Sequence, residues 1–184
     1  MTRSKLLLIA AIFIAPILAS YLAYYVWTPE GGKTNYGELI ATPLPDAVMT
    51  DINGKPFHLG QLKGKWVLVT ADAASCDKDC DAKLYLIRQI RLTLGRDADR
   101  IERLWLITDD GMPAQSVKEN MEGMWMVRGK GSDLLGKLPA KEQLNDHIYV
   151  IDPHGNLVMR YDRNPDPKKM KKDIETLFKA SMIG

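Results

Sequence analysis

The chain has 184 residues, enough for one domain of ordinary size and an appendage. Its apolar share of 46% supports a real core, and two cysteines are too few to staple a disulfide scaffold. The net charge of +2 is accounted for by Arg3 and Lys5, so no basic stripe marks a nucleic-acid partner.

Leu6 to Trp27 is almost wholly apolar and carries no charge. About 20 such residues span a bilayer. Arg3 and Lys5 precede the run and Glu30 follows it, which predicts a single-pass membrane anchor with the remainder outside the cytoplasm. Tyr21, Tyr24, Tyr25 and Trp27 crowd the outer end, where amphipathic rings favour the interface. The competing reading is a cleaved signal peptide, whose apolar part is shorter, roughly 7–15 residues. The chain thus divides into an anchor over 1–27, a linker over 28–43 with Pro29, Gly31 and Gly32, and a folded domain over 44–184.

In that domain, residues 47–50 and 56–59 flank Asn53-Gly54, which suits a tight turn with positive φ and predicts a β-hairpin. Trp66 to Val69 reads as a buried strand. From Asp81, Leu84, Ile87, Leu92 and Leu94 recur at roughly helical spacing. Ile101 to Ile107 is a second buried strand. Short helices are expected near Ser116–Met121 and Asp133–Leu138, with a brief strand at Met124–Val127 between them. His147–Ile151 and Leu157–Tyr161 flank the turn Asp152-Pro153-His154-Gly155-Asn156. An amphipathic, basic helix runs from Pro165 to Lys179; its lysines are a wet face that could also meet lipid headgroups. A βαβ unit followed by a hairpin and a helix predicts an α/β, thioredoxin-like domain with a central mixed sheet flanked by helices.

Cys76 and Cys80 fall where the loop after the first strand becomes a helix. Helical neighbours four apart lie about 6 Å from each other on one face. That spacing suits a redox disulfide or two thiolates gripping one Cu(I), while the plain reading is two inert core thiols. Asp77, Asp79 and Asp81 complement a helix N-terminus and should raise the thiol pKa values, which opposes a strongly oxidising pair. Met121, Met124 and Met126 read as core or a soft docking surface, with a thioether copper site as the sharper alternative. His58 and His154 read as solvated loop residues.

Asp51-Ile52-Asn53-Gly54-Lys55-Pro56-Phe57, the run Leu62 to Val69, the CxxxC of Cys76 and Cys80, and Tyr149 to Asn156 together resemble the Sco/SenC copper chaperones. The resemblance covers most of residues 36–180 and is thin between Asp109 and Asn145. It implies a membrane-anchored assembly factor whose partner is the copper-containing subunit of cytochrome c oxidase, delivering Cu(I) or reducing the subunit's cysteines. It implies a metallochaperone more than an ordinary enzyme, with a copper ion held by Cys76, Cys80 and His147. Two further readings stay open: a periplasmic thiol-disulfide oxidoreductase using Cys76 and Cys80 without copper, and a Sco-like scaffold that binds no metal. The chain departs from the family pattern in having Asp77 and Asp81 where a proline follows each cysteine. His147 also lies five residues before Asp152, where the family histidine lies about eight before; an odd shift turns a strand side chain to the opposite face.

Overall fold

Trp66–Asp72 is buried at every position, and a strand with no wet face must have neighbours on both edges and cover on both faces. In the computed structural model, which describes residues 3–26 and 35–181, it is the fourth strand, β4, of a mixed eight-stranded sheet. The strands in chain order are β1 (Glu38–Pro43), β2 (Val48–Asp51), β3 (Pro56–His58), β4 (Trp66–Asp72), β5 (Ile101–Ile107), β6 (Trp125–Arg128), β7 (His147–Ile151) and β8 (Asn156–Asp162). Their order across the sheet is β1-β8-β7-β4-β5-β6-β2-β3. β4 pairs parallel with β5 on one edge and antiparallel with β7 on the other.

The first helix, α1 (Arg3–Val26), forms a unit of its own. Its mean hydropathy of 2.5 and its length make it long and apolar enough to cross a membrane, with Pro16 inside it. Trp27 and the tether from residue 28 to 34 lie outside the described residues.

In the second unit the sheet's two faces carry separate cores. On one, Leu68, Ile101, Trp105, Ile148, Val150 and Met159 pack against α2 (Lys78–Thr93) and α5 (Pro167–Ala180). On the other, Val67, Val69, Leu104, Leu106, Tyr149 and Ile151 meet Phe57, Leu59 and Leu134, the last from the short α4 (Asp133–Lys137). Between β5 and β6 stands α3 (Gln115–Asn120).

The expected hairpin is β2–β3, closed by Gly54 at φ +79° with Asp51 Oδ1 accepting from the Asn53 and Lys55 amides. One boundary differs from the expectation. Residues 38–43, assigned to the linker from sequence, form β1, which pairs antiparallel with β8. Pro43 sits at the end of this edge strand, where a missing N–H is tolerated. Asp173 on α5 pins the strand's approach by accepting from the Gly37 amide at 2.8 Å and the Tyr36 amide at 3.2 Å.

Candidate functional site

The site is built where β4 runs out. Its last residue, Asp72, is followed by a short loop that Asp109 holds from the side: Asp109 Oδ1 accepts from the Ala74 and Gly111 amides, each at 3.1 Å. Gly111 permits this closeness, since a Cβ there would stand 2.8 Å from the Ala74 methyl. Asp77 then caps α2, accepting from the Cys80 amide at 2.9 Å, and Asp79 and Asp81 fill the first turn.

Across that cap, Cys76 and Cys80 are joined by a disulfide with Cα atoms 5.1 Å apart. Cys76 has φ +42°, a left-handed conformation that a non-glycine residue rarely adopts. The two sulfurs are unequal: Cys80 is 1% exposed and belongs to the core, whereas Cys76 is half-buried at its edge. A partner therefore reaches Cys76 and not Cys80.

Two charged side chains, Lys83 and Arg163, tie α2 to the turn Leu144–Asp146 just before β7. Lys83, one turn past Cys80, is buried; its Nζ lies 2.9 Å from Asp72 Oδ1 and 2.7 Å from Oδ2, and also donates to the Asn145 carbonyl. Burial raises the Asp72 pKa, and the lysine partly offsets it. Outside, Arg163 Nη1 reaches Asp79 Oδ2 at 2.6 Å and its Nη2 pairs with Asp146. That guanidinium holds the Asp146 carboxyl below the usual carboxylate range. Neither tie was foreseen from sequence. The available signal was Lys83 within the stripe Cys80, Leu84 and Ile87, a charge at a core position.

His147 does not join the cysteines. It opens β7 with the parity of Tyr149 and Ile151, whose side chains lie in the core opposite to that of Cys80. Its ring packs edge-on against Tyr149, its Nε2 accepts from the Lys141 amide at 3.3 Å, and its Nδ1 lies 3.9 Å from Asp162 Oδ1. Burial, ahead of the Arg160 charge, holds its pKa below 6.5. The histidine expected as a third ligand is thus a buried neutral residue on the far face.

Among the described residues, no three of His, Cys, Asp or Glu form a group that could hold a metal ion. Reduced, Cys76 and Cys80 would offer two soft sulfurs suited to Cu(I), whereas Asp77 and Asp79 carry hard oxygens poorly matched to it. Met121 and Met126 are buried in the core with Met124 packed against it. His58 is paired with Asp46 on the surface and His154 lies in the exposed β7–β8 turn.

This arrangement of sheet, flanking helices and a cysteine pair at a strand-to-helix loop defines a thioredoxin-like domain. The chain belongs to the family of transmembrane-like, thioredoxin-like, C-terminal domains, whose model matches residues 66–181. Its fold is that of the Sco proteins. It matches Sco1 of Thermus thermophilus, solved in its apo form, with a TM-score of 0.62 at 18% identity over 78% of this chain and 97% of that one. Yeast Sco1 with copper bound matches at a TM-score of 0.61 and 19% identity over 82% and 97% of the two chains. BsSco, a Sco-family cytochrome c oxidase assembly protein with an identified disulfide switch, matches at 0.58 and 14% over 78% and 97%. No curated protein matches the chain in sequence.

Proposed function

We propose that this chain is a membrane-anchored thiol-redox assembly factor for cytochrome c oxidase, with Cys76 and Cys80 facing the periplasm and acting on the cysteines of the copper-carrying subunit. α1 is the anchor, consistent with its length, its apolarity and the positive charge before it. The observation that carries the reading is the asymmetric disulfide: one half-buried cysteine and one sealed, in the loop that follows the central strand.

The exchange balances as follows. The Cys76 thiolate attacks a disulfide on the subunit, forming a mixed disulfide and releasing one subunit thiolate, which takes up a proton. Cys80 then attacks Cys76 Sγ as a thiolate, closing the observed bond and releasing the second subunit thiol. The oxidised pair is reset by an extracytoplasmic dithiol donor. A second reading, Cu(I) hand-over, is favoured by the same two adjacent sulfurs and by the copper-bound yeast Sco1 of like fold.

The experiment mixes the reduced full chain in detergent with the oxidised copper-carrying subunit. Cys80→Ser should trap a mixed disulfide through Cys76, and Cys76→Ser should trap none. Unchanged assembly of the oxidase in cells carrying either serine variant would remove the thiol reading. Anaerobic Cu(I) titration of the same samples tests the second reading, which requires binding lost in both variants.

A further inference from the structure

Arg103 stands in β5 between Ile101 and Trp105, on the face that α2 covers, so a guanidinium occupies a core position. It is 4% exposed. Its Nη2 donates to the Glu122 carbonyl at 2.7 Å, while its Nε and Nη1 are buried without a partner. Arginine keeps its charge in proteins, and unpaired buried donors are costly.

Arg103 lines a cavity of about 730 Å³ between α2, β5 and the turn after α3, within the roughly 300–1,000 Å³ usual for ligand sites. Arg88 and Arg91 of α2 line it too. Arg91 is partly engaged, its Nε donating to the Ile101 carbonyl at 3.0 Å and its Nη2 lying 3.7 Å from the exposed Asp99. Neither Arg88 nor Arg103 has an ion-pair partner among the described residues. Arg91 and Arg88 add positive potential at Arg103, and Glu102 opposes it. Asp81, Glu119 and Glu122 line the cavity as exposed residues and Glu102 lines it half-buried, like Arg88 and Arg91, so the one charge sealed in its wall is the Arg103 guanidinium and its mouth is acidic.

We propose that this cavity is an anion site in which Arg103, with Arg88 and Arg91, holds the oxygens of a phosphate group, free in solution or carried on a lipid headgroup. Phosphate presents three strong acceptor oxygens, which suits three guanidiniums better than a carboxylate's two. The acidic rim repels a polyanion and admits a single anionic group. The site shares no residue with the disulfide, so its fate is independent of the thiol chemistry.

The test uses the full chain in maltoside micelles, which carry no phosphate. Inorganic phosphate is titrated by calorimetry against chloride at fixed ionic strength, and a parallel arm dopes the micelles with phosphatidylglycerol and follows the thermal midpoint. Saturable phosphate binding alone identifies a soluble ligand; a rise in midpoint with phosphatidylglycerol alone identifies the headgroup. In either case Arg103→Met weakens binding by at least about tenfold and the milder Arg88→Gln weakens it less, while Cys76→Ser leaves it unchanged. No saturable binding in either arm, or equal binding by wild type and folded Arg88→Gln, would overturn the proposal.

Discussion

Lys83 Nζ lies 2.7 Å from Asp72 Oδ2 in an ion pair sealed from solvent, with side chains 1% and 5% exposed. Because Lys83 also donates to the Asn145 carbonyl, the pair joins three elements: the tip of β4, the helix bearing Cys80 and the turn before β7. Removing one partner strands a buried charge, so Lys83→Met should cost about 3–5 kcal/mol, whereas Lys83→Met with Asp72→Leu should recover most of the loss. Urea denaturation followed by circular dichroism measures both. The deficit should grow with pH. Burial already raises the folded Asp72 pKa above its ordinary 3.8 in wild type, and losing the lysine that opposes this raises it further, so as pH rises above 3.8 the variant loses more stability than wild type. A deficit independent of pH would mean that Asp72 is not the group left unpaired.

Arg163 bridges Asp79, which lies between the two cysteines, and Asp146. The bridge is exposed, so its value lies in holding the cysteine loop and not in global stability. Arg163→Ala should therefore leave the unfolding midpoint nearly unchanged and speed reduction of the Cys76–Cys80 bond by dithiothreitol. High salt should bring wild type toward the variant, because screening weakens the same pair. After reduction, a bulky maleimide should label Cys76 well before Cys80, as their exposures require.

The cysteine pair, the strand leading to it and the following helix were legible in sequence because periodicity and spacing are local signals. β1 was not, because an edge strand of six residues ending in Pro43 carries no clear alternation and owes its place to Asp173, more than a hundred residues away. Lys83 and Arg163 were hidden for the same reason, since their partners meet only after the chain folds. The face taken by His147 was half legible. Counting back from Asp152 implied a reversed side chain, and the shared parity of His147, Tyr149 and Ile151 shows the face they occupy.

Asp173 accepts from two amides and lies 3.3 Å from the Tyr161 hydroxyl, all in a site where its own side chain is nearly sealed. Asp173→Ala leaves three donors unsatisfied and should cost at least about 2 kcal/mol. Amide hydrogen exchange should show the loss first in β1, which is otherwise held by its ladder with β8 and by the ion pairs of Glu38 with Arg160 and Lys141. Exchange that quickened uniformly over the sheet would place the effect elsewhere.

His147 gives a pH signature that separates it from the sulfurs. Its Nε2 accepts a hydrogen bond, which assigns the ring proton to Nδ1 in a neutral imidazole. Asp162 stands 3.9 Å away and favours the charged form, yet that carboxylate is 83% exposed and screened by water, so burial prevails. The folded pKa therefore lies below 6.5, and beneath that pH the unfolded chain takes up a proton that the folded chain refuses. Stability from this residue is fully present above 6.5 and is lost as pH falls toward the folded value. His147→Gln should flatten that part of the stability curve relative to wild type, measured by urea denaturation at closely spaced pH values. The same variant should retain whatever Cu(I) the reduced cysteines bind, because its ring faces the opposite core. A marked loss of copper in His147→Gln, with its stability intact, would require the turn Leu144–Asp146 to open and deliver the imidazole to the other side of the sheet.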